Sequence, residues 1–289
     1  MSQPCDLPLG ARRIQLASGA EEVICAEEAL FLDIAGTRLL SMRTPMGEAA
    51  DLAWALGFLA SEGVIEDLSE VKSMTFHAAA DQNQEDEVKP ADEVRVELWR
   101  PSNIDRLGSL ARTHEMRASC GLCGVTSAAG LVKGLKPLAS DMPKLSLPAI
   151  GQMVEKLRSN QPLFDATGGC HGAALLKASG DLVALSEDIG RHNALDRAIG
   201  FAMQKGLYLR DCVAVLSGRA GYEMVIKAVR VGVPIVLSIG AASSFAVEVA
   251  EAANATLVGF IQTREGETPR RAHVYTGLAR IGEEVEIAR

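Results

Sequence analysis

The chain has 289 residues, 48% of them hydrophobic, a formal net charge of −8 and a sequence pI near 5.3. That apolar content suffices for one large domain or two modest ones, and the acidic balance argues against a broad surface gripping nucleic acid through its phosphates. The first 30 residues lack the apolar run of a signal peptide and no stretch approaches a membrane span, while six scattered cysteines in a chain this long do not read as a disulfide framework; the expectation is a cytoplasmic protein with free thiols, no nucleic acid and no membrane partner.

ALFLDIAGTRLLSMRTP, from Ala29, reads as two short strands turning at Ala35 and Gly36, followed by a helix with Leu52, Ala55, Leu56 and Leu59 on one face. Asp81 to Glu93 is acidic and without apolar period, a loop leading into the strand of Val94, Val96 and Leu98. The stretch from Arg106 to Asp141 is rich in Gly, Ser and Ala with weak periodicity, and reads as a mobile connector. Ile150, Met153, Val154 and Leu157 make a helix face, and AALLKASGDLVAL is a hairpin turning at Ser179, Gly180 and Asp181. Helices and strands then alternate: Leu195, Ala198, Ile199 and Ala202 share a helical face, DCVAVLSG is a buried-type strand, AGYEMVIKAVRVG ends a helix at Gly232, VPIVLSIG is a strand, and SSFAVEVAEAAN with TLVGFIQ repeats the pair. This rhythm predicts an α/β fold, a sheet covered by helices on both sides, with ligand contacts in the loops at strand ends.

The most chemical stretch is RASCGLCGVTSAAG, where Cys120 and Cys123 stand two residues apart, each followed by a glycine. A closed zinc site needs two more Cys or His at workable spacing, and the nearest pair, Cys170 and His171, is adjacent rather than spaced as a second knuckle. The His-x-Glu and Pro-Cys-x-x-Cys of a zinc deaminase are missing too, so no metal is expected. A dithiol oxidoreductase would carry the pair near the start of a thioredoxin-like unit. A mobile, accessible pair with Arg112, His114 and Arg117 just upstream instead suits handing on a sulfur atom; two small residues in a surface turn are the bland alternative.

FDATGGCHGAAL and SEDIGRHNALDRAIG flank the hairpin. Gly168 and Gly169 let a backbone approach a ligand, His171 is a donor or acid at the next turn, and Arg191, His192 and Asn193 bring polar groups to a helix start, a phosphate cradle. The strand-end loop of Ser217, Gly218 and Arg219 completes the expected site.

Together with MRTP (Met42 to Pro45), GFLASEGVI, CGLCG, SGRAGYEMVIKAVRVGVP and LVGF before VYTGLARI, these stretches resemble the formate dehydrogenase accessory sulfurtransferases of the FdhD/NarQ family over nearly the whole chain. The resemblance implies a small N-terminal α/β domain (1–115), the cysteine connector (116–142) and a cytidine-deaminase-like α/β/α sandwich (143–289), as a homodimer without the deaminase zinc. It implies a persulfide-carrying Cys120 with Cys123 assisting, a cysteine desulfurase as sulfur donor, and bis-molybdopterin guanine dinucleotide, carrying molybdenum or tungsten, as the acceptor inserted into formate dehydrogenase. A guanine nucleotide diphosphate would mimic that cofactor, with Phe260, Ile261, Gln262, Thr263, Arg264 and Glu265 at its guanine end. The sequence departs from the family pattern at Ala242, Ser243 and Gln262, and at Cys170, which is assigned no essential role; Cys212 reads as a buried small hydrophobe. A chaperone that shelters the cofactor, its cysteines only sensing redox state, is the alternative reading.

Overall fold

The computed structural model describes residues 7–79, 91–99, 127–136, 138–139, 143–263 and 269–282. Strands β1 (Ala11–Gln15) and β2 (Glu21–Cys25) form an antiparallel hairpin. Strands β3 (Glu28–Ile34), β4 (Thr37–Arg43), β5 (Val71–His77) and β6 (Asp92–Leu98) form a sheet in the order β4-β3-β6-β5. The β3–β4 turn falls where expected, Ala35 and Gly36 both taking positive φ (51° and 85°), the pairing a tight hairpin turn demands.

Helix α1 (Glu48–Ser61) packs on that sheet through Trp54, Phe58 and Leu59, against Leu30, Leu32, Val94 and Val96. The single apolar face read from the sequence is an underestimate, since every residue from Ala53 to Ser61 is buried. A helix buried all round needs a second neighbour, and here it is α5 (Arg191–Gln204). Their axes meet at two glycines: a methyl group on Gly57 would lie 1.7 Å from the Asp196 carbonyl oxygen, and one on Gly200 would lie 1.7 Å from that of Ala53.

Among the described residues, three shorter helices precede α5: α2 (Ala128–Val132), α3 (Leu147–Arg158) and α4 (Pro162–Thr167). Two more follow it, α6 (Tyr222–Arg230) and α7 (Ser244–Ala252). The second sheet holds β7 (His171–Lys177), β8 (Leu182–Asp188), β9 (Cys212–Leu216), β10 (Ile235–Ser238), β11 (Thr256–Gln262) and β12 (Arg271–Thr276), in the order β12-β11-β10-β9-β7-β8. β9, β10 and β11 run parallel; β7 is antiparallel to β8 and β9, and β12 to β11. Alternate side chains serve two cores. Ala214 and Leu216 face Leu195, Ala198 and Ile199 of α5, Val225 of α6 and Val249 of α7; Val213 and Val215 face Ile150, Met153, Val154 and Leu157 of α3. Helices thus cover both faces, as the alternating pattern predicts.

The connector reading needs one correction. Residues 127–136 hold α2, capped by Ser127, and its Ala128 and Leu131 are buried in the core shared with α7. The hairpin β1–β2 likewise packs beside α4 of the second unit rather than on its own sheet.

Candidate functional site

Because β7 runs against its neighbours, its first residue, His171, lies at the same sheet edge as the carboxyl ends of β8, β9, β10 and β11. That edge is where an open α/β sheet offers a crevice. The loops there are pressed together by backbone. The Gly172 N–H donates to Ser217 Oγ at 2.8 Å and the Ser217 N–H to the Gly172 carbonyl at 3.0 Å, which ties β9 to β7. Ser238 Oγ donates to the Gly218 carbonyl at 2.7 Å. No side chain fits at Gly240, where a methyl would come within 2.8 Å of that same carbonyl oxygen.

His171 is half-buried and lies against Gly218, whose missing side chain leaves room for the ring 3.2 Å away. Burial first, then the charges of Arg191, His192 and Arg219, hold its pKa below the ordinary histidine value. Two guanidiniums and the His192 ring therefore surround one imidazole. Among the described residues, neither Arg191 nor Arg219 has a hydrogen bond or ion pair, whereas His192 Nε2 lies 2.8 Å from Glu223 Oε2. A carboxylate only accepts, so Nε2 carries a proton and the ring is oriented from outside the motif that contains it. Glu223, on α6, was not singled out in the sequence; a lone Glu in a helical stretch carries no signal until the fold brings two helix starts together. Helices α5 and α6 begin at Gly190 and Gly221, neither start capped by a side chain of the described residues, and the positive end of each helix dipole lies at this edge.

Other expected site residues are placed differently. Asn193 is committed to the seam between the two sheets: Nδ2 donates to the Met42 carbonyl at 2.7 Å and to Asp188 Oδ1, and Oδ1 accepts from Trp54 Nε1 at 3.0 Å. Gly168 ends α4 in the left-handed region at φ 63°, which glycine alone adopts easily; Gly169 follows, exposed, its position next to Cys25. Phe260 is half-buried at the end of β11, and Gln262 is exposed beyond it. Ile261 packs in the core on the α3 side and turns no side chain toward the edge. Thr263 ends the described stretch, and Arg264 and Glu265 lie outside the described residues, as do Cys120 and Cys123. Ser243, one of the departures, caps α7 by accepting from the Ala246 N–H at 3.2 Å.

Cys5 also lies outside the described residues, and the three described thiols are partly or fully buried. Cys170 donates to Glu187 Oε1 at 3.3 Å, and burial with that carboxylate pushes its pKa up; Cys212 lies in the core, its thiol pushed up to about 11 by burial. Cys25 meets Thr44 Oγ1 at 3.1 Å, and burial raises it too. Among the described residues no group of three or more His, Cys, Asp or Glu is placed to hold a metal, and no helix is long and apolar enough to cross a membrane.

Comparison with known proteins matches residues 25–282 to the FdhD/NarQ family. The chain is 38% identical over 247 residues to the sulfur carrier protein FdhD of Corynebacterium efficiens, covering 83% of this chain and 86% of that one. It is 37% identical over 283 residues to that of Anaeromyxobacter dehalogenans, covering 94% and 93%. Among solved structures, a formate dehydrogenase accessory protein from Desulfotalea psychrophila superposes with a TM-score of 0.64 at 22% identity, covering 94% of this chain and 97% of that one.

Proposed function

The chain belongs to the FdhD/NarQ family, whose curated relatives are sulfur carrier proteins, and from that premise we propose that it carries sulfur from a cysteine desulfurase to bis-molybdopterin guanine dinucleotide destined for formate dehydrogenase. It acts in the cytoplasm as a homodimer. The observation that carries the substrate half of this reading is the pair of guanidiniums, Arg191 and Arg219, without a partner among the described residues, that act on a half-buried His171 beside two helix starts. A diphosphate is the complement of that arrangement: two arginine forks, two helix-start dipoles and a neutral imidazole donor, with buried Asp188 already paired with Arg197. A guanine nucleotide diphosphate has that diphosphate and binds in the cofactor's place.

The sulfur half rests on Cys120 and Cys123. The Cys120 thiolate attacks the terminal sulfur of the donor's persulfide; the donor's S–S bond breaks, its thiolate leaves, and Cys120 holds the persulfide with its proton. The Cys123 thiolate then attacks Cys120 Sγ, forming the Cys120–Cys123 disulfide and expelling hydrosulfide with the bond's electron pair, which becomes a ligand of the substrate's metal. A dithiol reductant resets the pair. The protein groups at the sheet edge hold the substrate and take no part in these electron movements.

The test uses the full chain, a cysteine desulfurase and cysteine labelled with sulfur-35. Wild-type protein is expected to carry thiol-releasable label and Cys120→Ala none, with an unchanged melting temperature. Label on Cys120→Ala at the wild-type level overturns the reading.

A further inference from the structure

His192 and Glu223 are the second residues of α5 and α6. Side chains in a helix lean back toward its N-terminus, so both turn to the sheet edge and meet there, Nε2 of the ring 2.8 Å from Oε2 of the carboxylate. With Nε2–H given to Glu223, a neutral ring keeps its lone pair on Nδ1, which has no hydrogen-bond partner among the described residues. The His192 side chain stays 26% exposed. The charged and titratable groups of the elements that meet here are Arg191 on α5, Glu223 on α6, Arg219 in the loop after β9, His171 at the start of β7 and Asp188 at the end of β8, the last already paired with Arg197 at 3.0 Å. The two imidazoles are placed differently. His192 has a carboxylate partner, whereas His171 has none among the described residues, and burial with the neighbouring cations disfavours its charged form.

We infer that Glu223 is a positioning residue of the anion site, fixing His192 so that its ring takes up a proton as a diphosphate binds. The inference rests on the diphosphate reading above and adds to it a proton and the residue that holds its carrier. Without a ligand, a positive charge on the ring is favoured by Glu223 and opposed by the guanidiniums and the two helix starts gathered at this edge. Bound phosphate oxygens cancel that opposition. The proton joins the Nδ1 lone pair and comes from solvent, so no covalent bond to the ligand forms or breaks. The imidazolium then donates from Nε2 to Glu223 and from Nδ1 toward the anion, a charge-assisted hydrogen bond on each side. By linkage, a site that gains a proton with its ligand loses affinity as pH rises.

The test titrates the full chain with guanosine diphosphate (GDP) by calorimetry at about pH 7.5, in buffers of low and high ionisation enthalpy, because the dependence of the heat on the buffer counts the protons taken up. Protonation changes of GDP itself are shared by all variants and cancel between them. Wild type is expected to take up a proton, and its GDP dissociation constant to rise by up to about tenfold per pH unit between about pH 7 and about pH 8.5. His192→Asn and Glu223→Gln, each with a wild-type melting temperature, are expected to lose the uptake and flatten that profile, and His171→Asn to keep the uptake whatever its effect on affinity. Uptake that survives in either His192→Asn or Glu223→Gln, uptake that disappears in His171→Asn, or wild-type binding of GDP without a proton overturns the inference and leaves the diphosphate reading standing. Wild-type protein that does not bind GDP overturns the diphosphate reading and the inference with it.

Discussion

Gly200→Ala sets two effects of opposite sign against each other. Gly200 lies inside α5, where Ala is favoured over Gly by about 1 kcal/mol, so propensity alone predicts a more stable protein. Packing predicts the reverse. The new methyl would sit 1.7 Å from the Ala53 carbonyl oxygen and 2.6 Å from its carbon, half the 3.4 Å at which ordinary contact begins, and the obstacle is backbone rather than a movable side-chain end. The helices must part, and with them the Trp54–Asn193 hydrogen bond of 3.0 Å, which also spans α1 and α5. Overpacking of this kind costs roughly 1–3 kcal/mol or more, and a lost buried hydrogen bond about 1. Even after the gain in propensity the net is a loss of roughly 1–3 kcal/mol, a fall in melting temperature on the order of 3–10 °C. Scanning calorimetry reads it directly. Gly282→Ala, where a methyl meets nothing closer than 3.7 Å, is the control. If Gly200→Ala melts at or above wild type, the helices do not cross as closely as described here and the reasoning fails.

Lys227→Ala leaves buried Asp196 without the cation that lies 2.8 Å away, and denaturant unfolding should show a loss of about 3–5 kcal/mol, partly recovered when Asp196→Asn is added. His171 has a folded pKa below the ordinary 6.5, so in the window beneath that value the unfolded chain binds more protons and stability falls as pH drops; the urea midpoint should fall less between about pH 7.5 and about pH 5 in His171→Asn than in wild type, and identical profiles would remove the effect. Cys170 and Cys212 should resist alkylation in the native protein at about pH 8 and react after unfolding, because the thiolate is the nucleophile and both pKa values are raised; peptide mass spectrometry that finds Cys212 labelled at its unfolded rate refutes this. Arg219→Ala should weaken diphosphate binding by about 1.5–3 kcal/mol, the worth of a hydrogen bond between charged groups, and an unchanged calorimetric constant would place the anion elsewhere.

The second sheet was the most legible part of the chain. Its central strands β9 and β10 are short, fully buried and almost wholly apolar, and glycines stand in the turn positions of the sheet, such as Gly180 at φ 87° and Gly232 at φ 86°, so pattern and backbone chemistry agree. What escaped was structure whose cause lies far away in sequence. β12 alternates Ala272 and Val274 with Arg271, His273 and Tyr275, but six residues with only two small or branched apolar positions make a weak strand signal. The burial of α1 on all sides is set by α5, whose contacts are over 130 residues distant, as in the 2.6 Å bond from Ser61 Oγ to Asp196. Asn193 read as a ligand group because Asn at a helix start usually is free; its partners, Met42 and Trp54, lie in the other unit.

Those misplaced residues explain why EDIGRHNALDRAIG is so dense in polar groups: the segment serves two surfaces at once. Asp188, fully buried, accepts from the Thr44 N–H at 3.0 Å and pairs with Arg197 at 3.0 Å, and Arg197 reaches the Thr44 carbonyl at 3.2 Å. Thr44 Oγ1 in turn accepts from the Ile189 N–H at 3.0 Å. The MRTP stretch is therefore the other half of a joint, with Arg43 held behind it by Asp51 and Asp92. Between Asp188 and Arg197 the chain must pass the sheet edge, and there it presents half-buried Arg191 and His192. A ligand at that edge rests on a loop fastened at both ends to the N-terminal unit. The loop that carries Arg191 is thus held by the buried Asp188–Arg197 pair and its bonds to Thr44 behind it. Changes at Thr44 or Asn193 reach the site through this joint, and a signature spread across both units follows from the mechanics.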